Sequence, residues 1–213
     1  NEREKKIYTM VDTIKSLPAY KTYVDVITLF VTGYKTLGKV DLGPYFTVFS
    51  FNEIEGYRFR LGGKTNQDFN KHLRLEGFVA YGTKNEQFNY SFGTRYLFTT
   101  KPRMGVGFKY RHDVMQLGQS DNAFQDDNIL ASLFRRSASN KLTYTESEKI
   151  YFEKEWLSGV SGRITFEHNE FIPLGKLDYR YYTNNNESNI RNKINTSDIS
   201  AYFRFAYREK FVE

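Results

Sequence analysis

From residue 57 to residue 111, large apolar side chains fall on every second position through four successive segments. No other feature of the 213-residue chain restricts its fold as much. Tyr57, Phe59 and Leu61 alternate with Arg58, Arg60 and Gly62. Leu73, Leu75, Gly77, Val79 and Tyr81 alternate with Arg74, Glu76, Phe78 and Ala80. Phe88, Tyr90, Phe92, Thr94, Tyr96 and Phe98 follow, and Met104, Val106, Phe108 and Tyr110 close the series against Arg103, Gly105, Gly107, Lys109 and Arg111. A pleated strand sends successive side chains to opposite faces, so this pattern specifies a sheet with one aromatic face and one charged face. Function then turns on which face meets what.

Short links such as TKNE and TTKP between long runs make an antiparallel meander the simplest topology. The sheet is expected to begin at 40–51, where Tyr45, Thr47, Phe49 and Phe51 share a register and Pro44 sits near the strand start. Strands resume at 142–156, 160–167, 177–182 and 199–207. The total is about nine or ten, several of them far longer than the roughly 5 to 6 residues usual in globular sheets. Residues 1–34 form a helical N-terminal segment ahead of the sheet portion, 35–213. Ile7, Met10, Val11, Ile14 and Leu17 recur at helical spacing, and Pro18 opens a second helix carrying Tyr23, Val24, Ile27, Phe30 and Val31. Helix is expected to about residue 22, with helix and strand both open from there to Tyr34. Residues 117–141 read as a helix-bearing loop in which Ile129, Leu130, Leu133 and Phe134 share a face and Arg135 and Arg136 lie at the C-terminal end. A second long polar loop, TNNNESNIRNKINTS, precedes the last strand. Three predicted strands separate the two loops, an odd number that would send them to opposite ends of the sheet.

Lys and Arg total 31 against 25 Asp and Glu, a net +6 that does not run in blocks, so no nucleic-acid partner is expected. The longest apolar run near the N-terminus, residues 26–31, is interrupted by Thr28 and falls well short of the roughly 20 residues a spanning helix needs. The chain opens on Asn1 and a charged stretch, which reads as a processed or excised boundary rather than a signal peptide. With no Cys there is neither a disulfide scaffold nor a thiolate metal site. His72, His112 and His168 lie on different predicted strands without a second ligand at metal spacing, so no metal or other cofactor is expected. No Gly-x-Ser-x-Gly elbow occurs, and Asp113 beside His112 points to the opposite face. Gly62, Gly63, Lys64 and Thr65 lack the spaced first glycine of a phosphate loop and read as a strand end. The expectation is a protein that is not an enzyme, with no catalytic residues.

Two architectures satisfy the alternation. A soluble β-barrel or sandwich would bury the aromatic face around a small apolar ligand. An up-and-down transmembrane barrel would turn that face to lipid, and these strands reach the roughly 9 to 11 residues a tilted strand needs to cross. The second is favoured. The aromatic registers starting at residues 57, 88, 104, 160 and 199 carry no charge, and Tyr57, Tyr81, Phe88, Phe98, Tyr110 and Tyr207 sit toward register ends, as an interfacial girdle requires. Phe59, Phe92, Phe108 and Phe203 are the lipid-facing candidates. Arg58, Arg60, Arg74, Glu76, Arg95, Lys109, Arg111, Arg163 and Arg204 are the candidates for a polar, ion-paired interior.

The segments MVDTIKSLPAY, VTGYKTLGKVDLGPYFTVFSFNEIEGYRFRLGGKT, LRLEGFVAYGTK, DNILASLFRR and FRFAYREKF resemble the barrel portion of a family of outer-membrane proteins of unknown function. In that family the barrel follows a carboxypeptidase-regulatory-like β-sandwich. EGYRFRLGG is distantly similar to the strands of BamA-type surface-antigen barrels. The resemblance implies an all-β antiparallel barrel that is incomplete here, a location in the bacterial outer membrane and lipid as the principal partner. Other envelope proteins would be met through residues 117–141. The family itself implies no role; the expected one is structural or in transport.

Overall fold

Long alternating runs of aromatic and β-branched residues favour extended backbone, and a strand rich in them is stable only when paired. The computed structural model describes residues 17–117, 142–157, 159–182 and 188–206, with Tyr8, Met10 and Thr13 before them. The expected loop helix in 117–141 and the last strand residue, Tyr207, lie outside the described residues apart from Leu117. The strands are β1 (Lys35–Leu37), β2 (Val40–Leu42), β3 (Phe49–Asn52), β4 (Gly56–Thr65), β5 (Leu73–Gly82), β6 (Phe88–Thr100) and β7 (Arg103–Gln116). They continue as β8 (Leu142–Leu157), β9 (Val160–Pro173), β10 (Tyr179–Tyr182), β11 (Ser188–Arg191) and β12 (Ile194–Phe205). All but β10 and β11 form one ten-stranded antiparallel sheet, ordered β1-β2-β4-β5-β6-β7-β8-β9-β12, with β3 beside β4. Among the described residues the sheet does not close on itself. The chain is an all-β, incomplete barrel with a short N-terminal helix.

The turns are set by asparagines. Asn52 Oδ1 accepts from the backbone N–H of Ile54 and Glu55 at 3.1 and 2.8 Å, and Asn70 Oδ1 accepts from His72 and Leu73 at 2.7 and 3.1 Å. Such side chains replace the backbone partners that a tight turn removes.

Helix α1 (Pro18–Thr32) starts on a proline and runs ten residues past the expected boundary at about residue 22. Its β-branched residues cost only tenths of a kcal/mol each in a helix, so they do not end it. Gly33 does, in the left-handed conformation with its N–H donated to Leu29 O at 2.8 Å.

The single strand expected over 40–51 is broken in two. Pro44 has no N–H to give the ladder, so the chain leaves β4 after Gly43 and makes a 3-10 turn at Tyr45–Thr47. It rejoins where Arg60 N–H donates to Val48 O at 2.8 Å. β2 and β3 are thus two halves of one edge along β4.

The segment expected as a strand at 177–182 does not belong to the main sheet. Its residues 179–182 pair with Ser188–Arg191, inside the expected polar loop, as a separate hairpin. Tyr179 is buried there, and burial pushes its phenol up. Among the described residues only β8 and β9 then separate the connection after β7 from the excursion after β9, so both long connections leave the same end of the sheet. The odd count is corrected to an even one.

The interior is the unexpected part of the packing for a chain of this length. Among the described residues the buried apolar side chains are Phe78, Ala80 and Tyr179. Nine polar or charged ones are buried: Glu55, Arg58, Asn89, Ser91, Asp113, Thr143, Thr145, Ser147 and Glu153. The sheet curls with its polar face inward. The turn after β3 reaches toward the loop after β9, where a Cβ built on Gly175 would lie 3.1 Å from Ile54 Cδ1.

A Cβ built on Gly105, opposite Leu97 and next to the register shift in β6 between Leu97 and Thr99, would collide with the Tyr96 carbonyl oxygen, leaving no room for a side chain. Gly105→Val should therefore destabilise the fold by about 1–3 kcal/mol through overpacking. The denaturant midpoint of the purified protein measures this, and an unchanged midpoint would contradict the packing described.

Candidate functional site

Because the pleat has a period of two and the ladders keep their register, one parity on every long strand faces inward. Arg58 and Arg60 on β4, Arg74 and Glu76 on β5, Arg95 on β6, Lys109 and Arg111 on β7, Arg163 on β9 and Arg204 on β12 all share that face. The structure gathers most of them into two ion-paired groups.

The first group lies at the end where the long connections emerge. Arg58 Nη1 is 2.9 Å from Glu55 Oε1 and 2.7 Å from Asp113 Oδ1, with all three side chains largely out of water. Glu55 is held by Asn52 Nδ2 at 2.6 Å and Asn89 Nδ2 at 2.5 Å, and Tyr144 Oη donates to Asn89 Oδ1 at 2.7 Å. A guanidinium between two carboxylates, Glu55 with two side-chain amide donors and Asp113 with the Val114 N–H at 2.8 Å, meets the demand that buried charge be both neutralised and hydrogen-bonded.

The second group lies on the wall from β5 to β9. Glu76 lies 3.5 Å from Arg74 Nη2 and 3.9 Å from Lys109 Nζ. Glu153 binds Arg95 through Oε1 and Arg163 Nη2 through Oε2 at 2.9 Å. Lys149 and Glu167 pair at 3.0 Å. Glycines make this geometry accessible. The Glu76 side chain lies across Gly93, and the Tyr151 ring covers Gly107, where any Cβ would collide with it. The Arg163 guanidinium sits over the Tyr151 ring, 4.7 Å from its centroid.

The other candidates are dispersed. Arg60 lies over the Phe78 ring at 3.7 Å, and Arg111 Nη1 is 3.5 Å from Met115 Sδ. Arg204 is exposed on the edge strand. Sequence reading missed Glu55, Asn89 and Glu153 and gave Asp113 no role beside Arg58. Glu55 lies in a turn outside any alternation, and Asn89 is uncharged. Glu153 was legible: continuing the inward parity of β8 through Thr143, Thr145, Ser147, Lys149 and Tyr151 ends on it, opposite Arg163.

The opposite face is apolar and uncovered. Phe59, Phe92 and Phe203 are 52%, 49% and 60% exposed, and Phe108 is half-buried among its neighbours. They do not converge on a common interior. The belt they form runs obliquely to the strands. On β6 it begins at Phe88, whereas on β8, β9 and β12 it begins at Ile150, Phe166 and Ile199, in the ladder row of Thr94, six positions along β6 from Phe88. The whole offset falls between β6 and β8; averaged from β6 to β12, six residues of about 3.3 Å against four strand spacings of about 4.8 Å put the edge of the belt at roughly 45° to the strands. Beyond its edge the same face turns polar, with Glu146 accepting from Tyr110 Oη and His168 Nδ1 2.8 Å from Ser197 Oγ. His112 packs between Tyr90 and Tyr144, and His72 Nδ1 lies 2.7 Å from Leu97 O. Among the described residues no three His, Asp or Glu side chains gather as a metal-binding group.

Removing one member of the buried group strands the others. Asp113→Ala should cost roughly 3–5 kcal/mol, whereas Lys193→Ala, which removes an exposed pair with Glu170, should cost less than about 1 kcal/mol. Equal shifts in denaturant midpoint would show that the buried group contributes nothing special.

No curated protein and no solved structure matches the chain. Residues 31–210, which take in the whole sheet, match the C-terminal domain of a family of unknown function (DUF5686), and the chain belongs to that family.

Proposed function

We propose that this chain is the membrane-embedded part of a larger β-barrel of the bacterial outer membrane. Its aromatic belt lies against acyl chains, its ion-paired face lines a hydrated interior, and its role is structural or in transport. The observation that carries this reading is the inversion of the packing. Charge is buried and paired, while Phe59, Leu61, Phe92, Ile164 and Phe203 stand on the outside, about half or more of each exposed. A water-soluble domain of this length would gain its stability from the apolar face, at about 25 cal/mol per Å² removed from water. Here that gain is available only if the surrounding medium is itself apolar.

Two further observations support it. The belt's slant of roughly 45° is close to the tilt of about 35–45° that strands adopt in membrane barrels. Both long connections leave one end, as the long outward loops of such barrels do. The likeness of EGYRFRLGG to BamA-type strands fits the same picture, and lipid is then the principal partner, with other envelope proteins meeting residues 117–141.

The protein should accordingly need detergent for extraction and migrate faster on gels when unheated than when boiled. Quantitative recovery in buffer alone would end the proposal. A sharper comparison uses adjacent residues of β9 on opposite faces. Ile164→Arg should cost about 2–4 kcal/mol of stability in bilayers, whereas Thr165→Arg, facing the interior, should be tolerated. The reverse order of sensitivity would put the aromatic face inside.

A further inference from the structure

We propose that the inner wall between β5 and β9 binds a small soluble anion bearing a phosphoryl group, at two adjoining triads: Arg74–Glu76–Lys109 and Arg95–Glu153–Arg163. This rests on the interior being hydrated, as in the reading above. Three observations carry it.

Each triad shares one carboxylate between two cations, Glu76 at 3.5 and 3.9 Å from its partners and Glu153 bridging Arg95 and Arg163. Both therefore keep a net positive charge although each cation in them has a partner. The ladder brings like charges directly opposite, Arg74 beside Arg95 and Lys109 beside Lys149; these four and Arg163 meet three acids, Glu76, Glu153 and Glu167, so the repulsion is only partly offset. The cationic ends are also reachable. The side chains of Arg74 and Arg163 are 43% and 49% exposed; Glu153, which positions Arg163, is withdrawn toward the wall at 9%, while Glu76 stays open at 37%.

The chemistry selects the ligand. Guanidinium groups present paired N–H donors that match two oxygens of one phosphoryl group, and the Tyr151 ring beneath Arg163 holds that fork in place before binding. The flat ground left by Gly93 and Gly107 gives room above the wall, since the side chains that cross them lie against the backbone. At the second triad a cation would meet the exposed Arg163 end before the withdrawn Glu153 and be repelled.

The test is calorimetric titration of the full-length protein, purified in detergent, with inorganic pyrophosphate at low salt. Saturable binding is expected, weakening about tenfold in Arg163→Gln and in Lys109→Gln, through loss of a charge-assisted contact. Arg180→Gln, on the β10–β11 hairpin, should leave it unchanged. Arg163 is half exposed and Arg95 still holds Glu153 in its absence, so the variant should stay folded, and its denaturant midpoint, measured alongside, separates lost binding from lost folding. Folded protein that shows no saturable binding, or that binds equally well in all three variants, overturns the site and leaves the barrel reading standing. Pyrophosphate binding by a protein that proves soluble without detergent overturns the barrel reading and keeps the site. A parallel titration with anionic phospholipid vesicles, expected to compete for none of the pyrophosphate binding, distinguishes a soluble ligand from a lipid headgroup. Full competition by the vesicles would overturn the soluble assignment.

Discussion

A charge withdrawn from water costs several kcal/mol unless opposite charge and hydrogen-bond partners meet it, and this condition decides which way the sheet curls. Arg58 lies between Glu55 and Asp113, while Glu153 takes Arg95 and Arg163. Each of these groups can be enclosed only because strand register and the turn at Glu55 bring together partners that lie up to three strands apart. The charged face can satisfy itself. The aromatic face needs no partner atoms, only a medium that is not water, so it can be left outside.

The same pairing sets the character of the interior. A carboxylate placed between two cations holds both side chains against the wall and still leaves positive charge. Glycine at 93 and 107 lets the Glu76 side chain and the Tyr151 ring lie across the strands instead of standing into the lumen. Wall order and open space thus come from one device. At the other group, Asn52 and Asn89 fold Glu55 inward, and the turn after β3 covers part of the interior at the end where the long connections leave.

An open sheet leaves backbone groups unpaired. Among the described residues the ladder of β12 with β9 occupies one edge of Ile194–Phe205, and the other edge has no strand beside it. In hydrocarbon every such N–H and C=O must find a partner, so a membrane-embedded sheet of this form is completed by further strands. This fits the incomplete barrel that the fold itself displays.

Much of the architecture was legible in the residues. A period of two in side-chain character is a local property of the backbone, so strands, faces and the antiparallel meander could be read from Tyr57 through Tyr110 and from Ile199 through Phe205. The inward candidates followed from the same parity, and all of them share one face. Local pattern could not show that Pro44 splits an edge strand, that residues 179–182 form a hairpin apart from the sheet, or that Glu55 in a turn and Asn89 near a strand end meet Arg58. Those depend on register between segments distant in the chain. Alternation alone established that one face would be greasy and the other charged. Which of them is enclosed was decided only in three dimensions, because it depends on whether each buried charge finds its counterpart across the sheet.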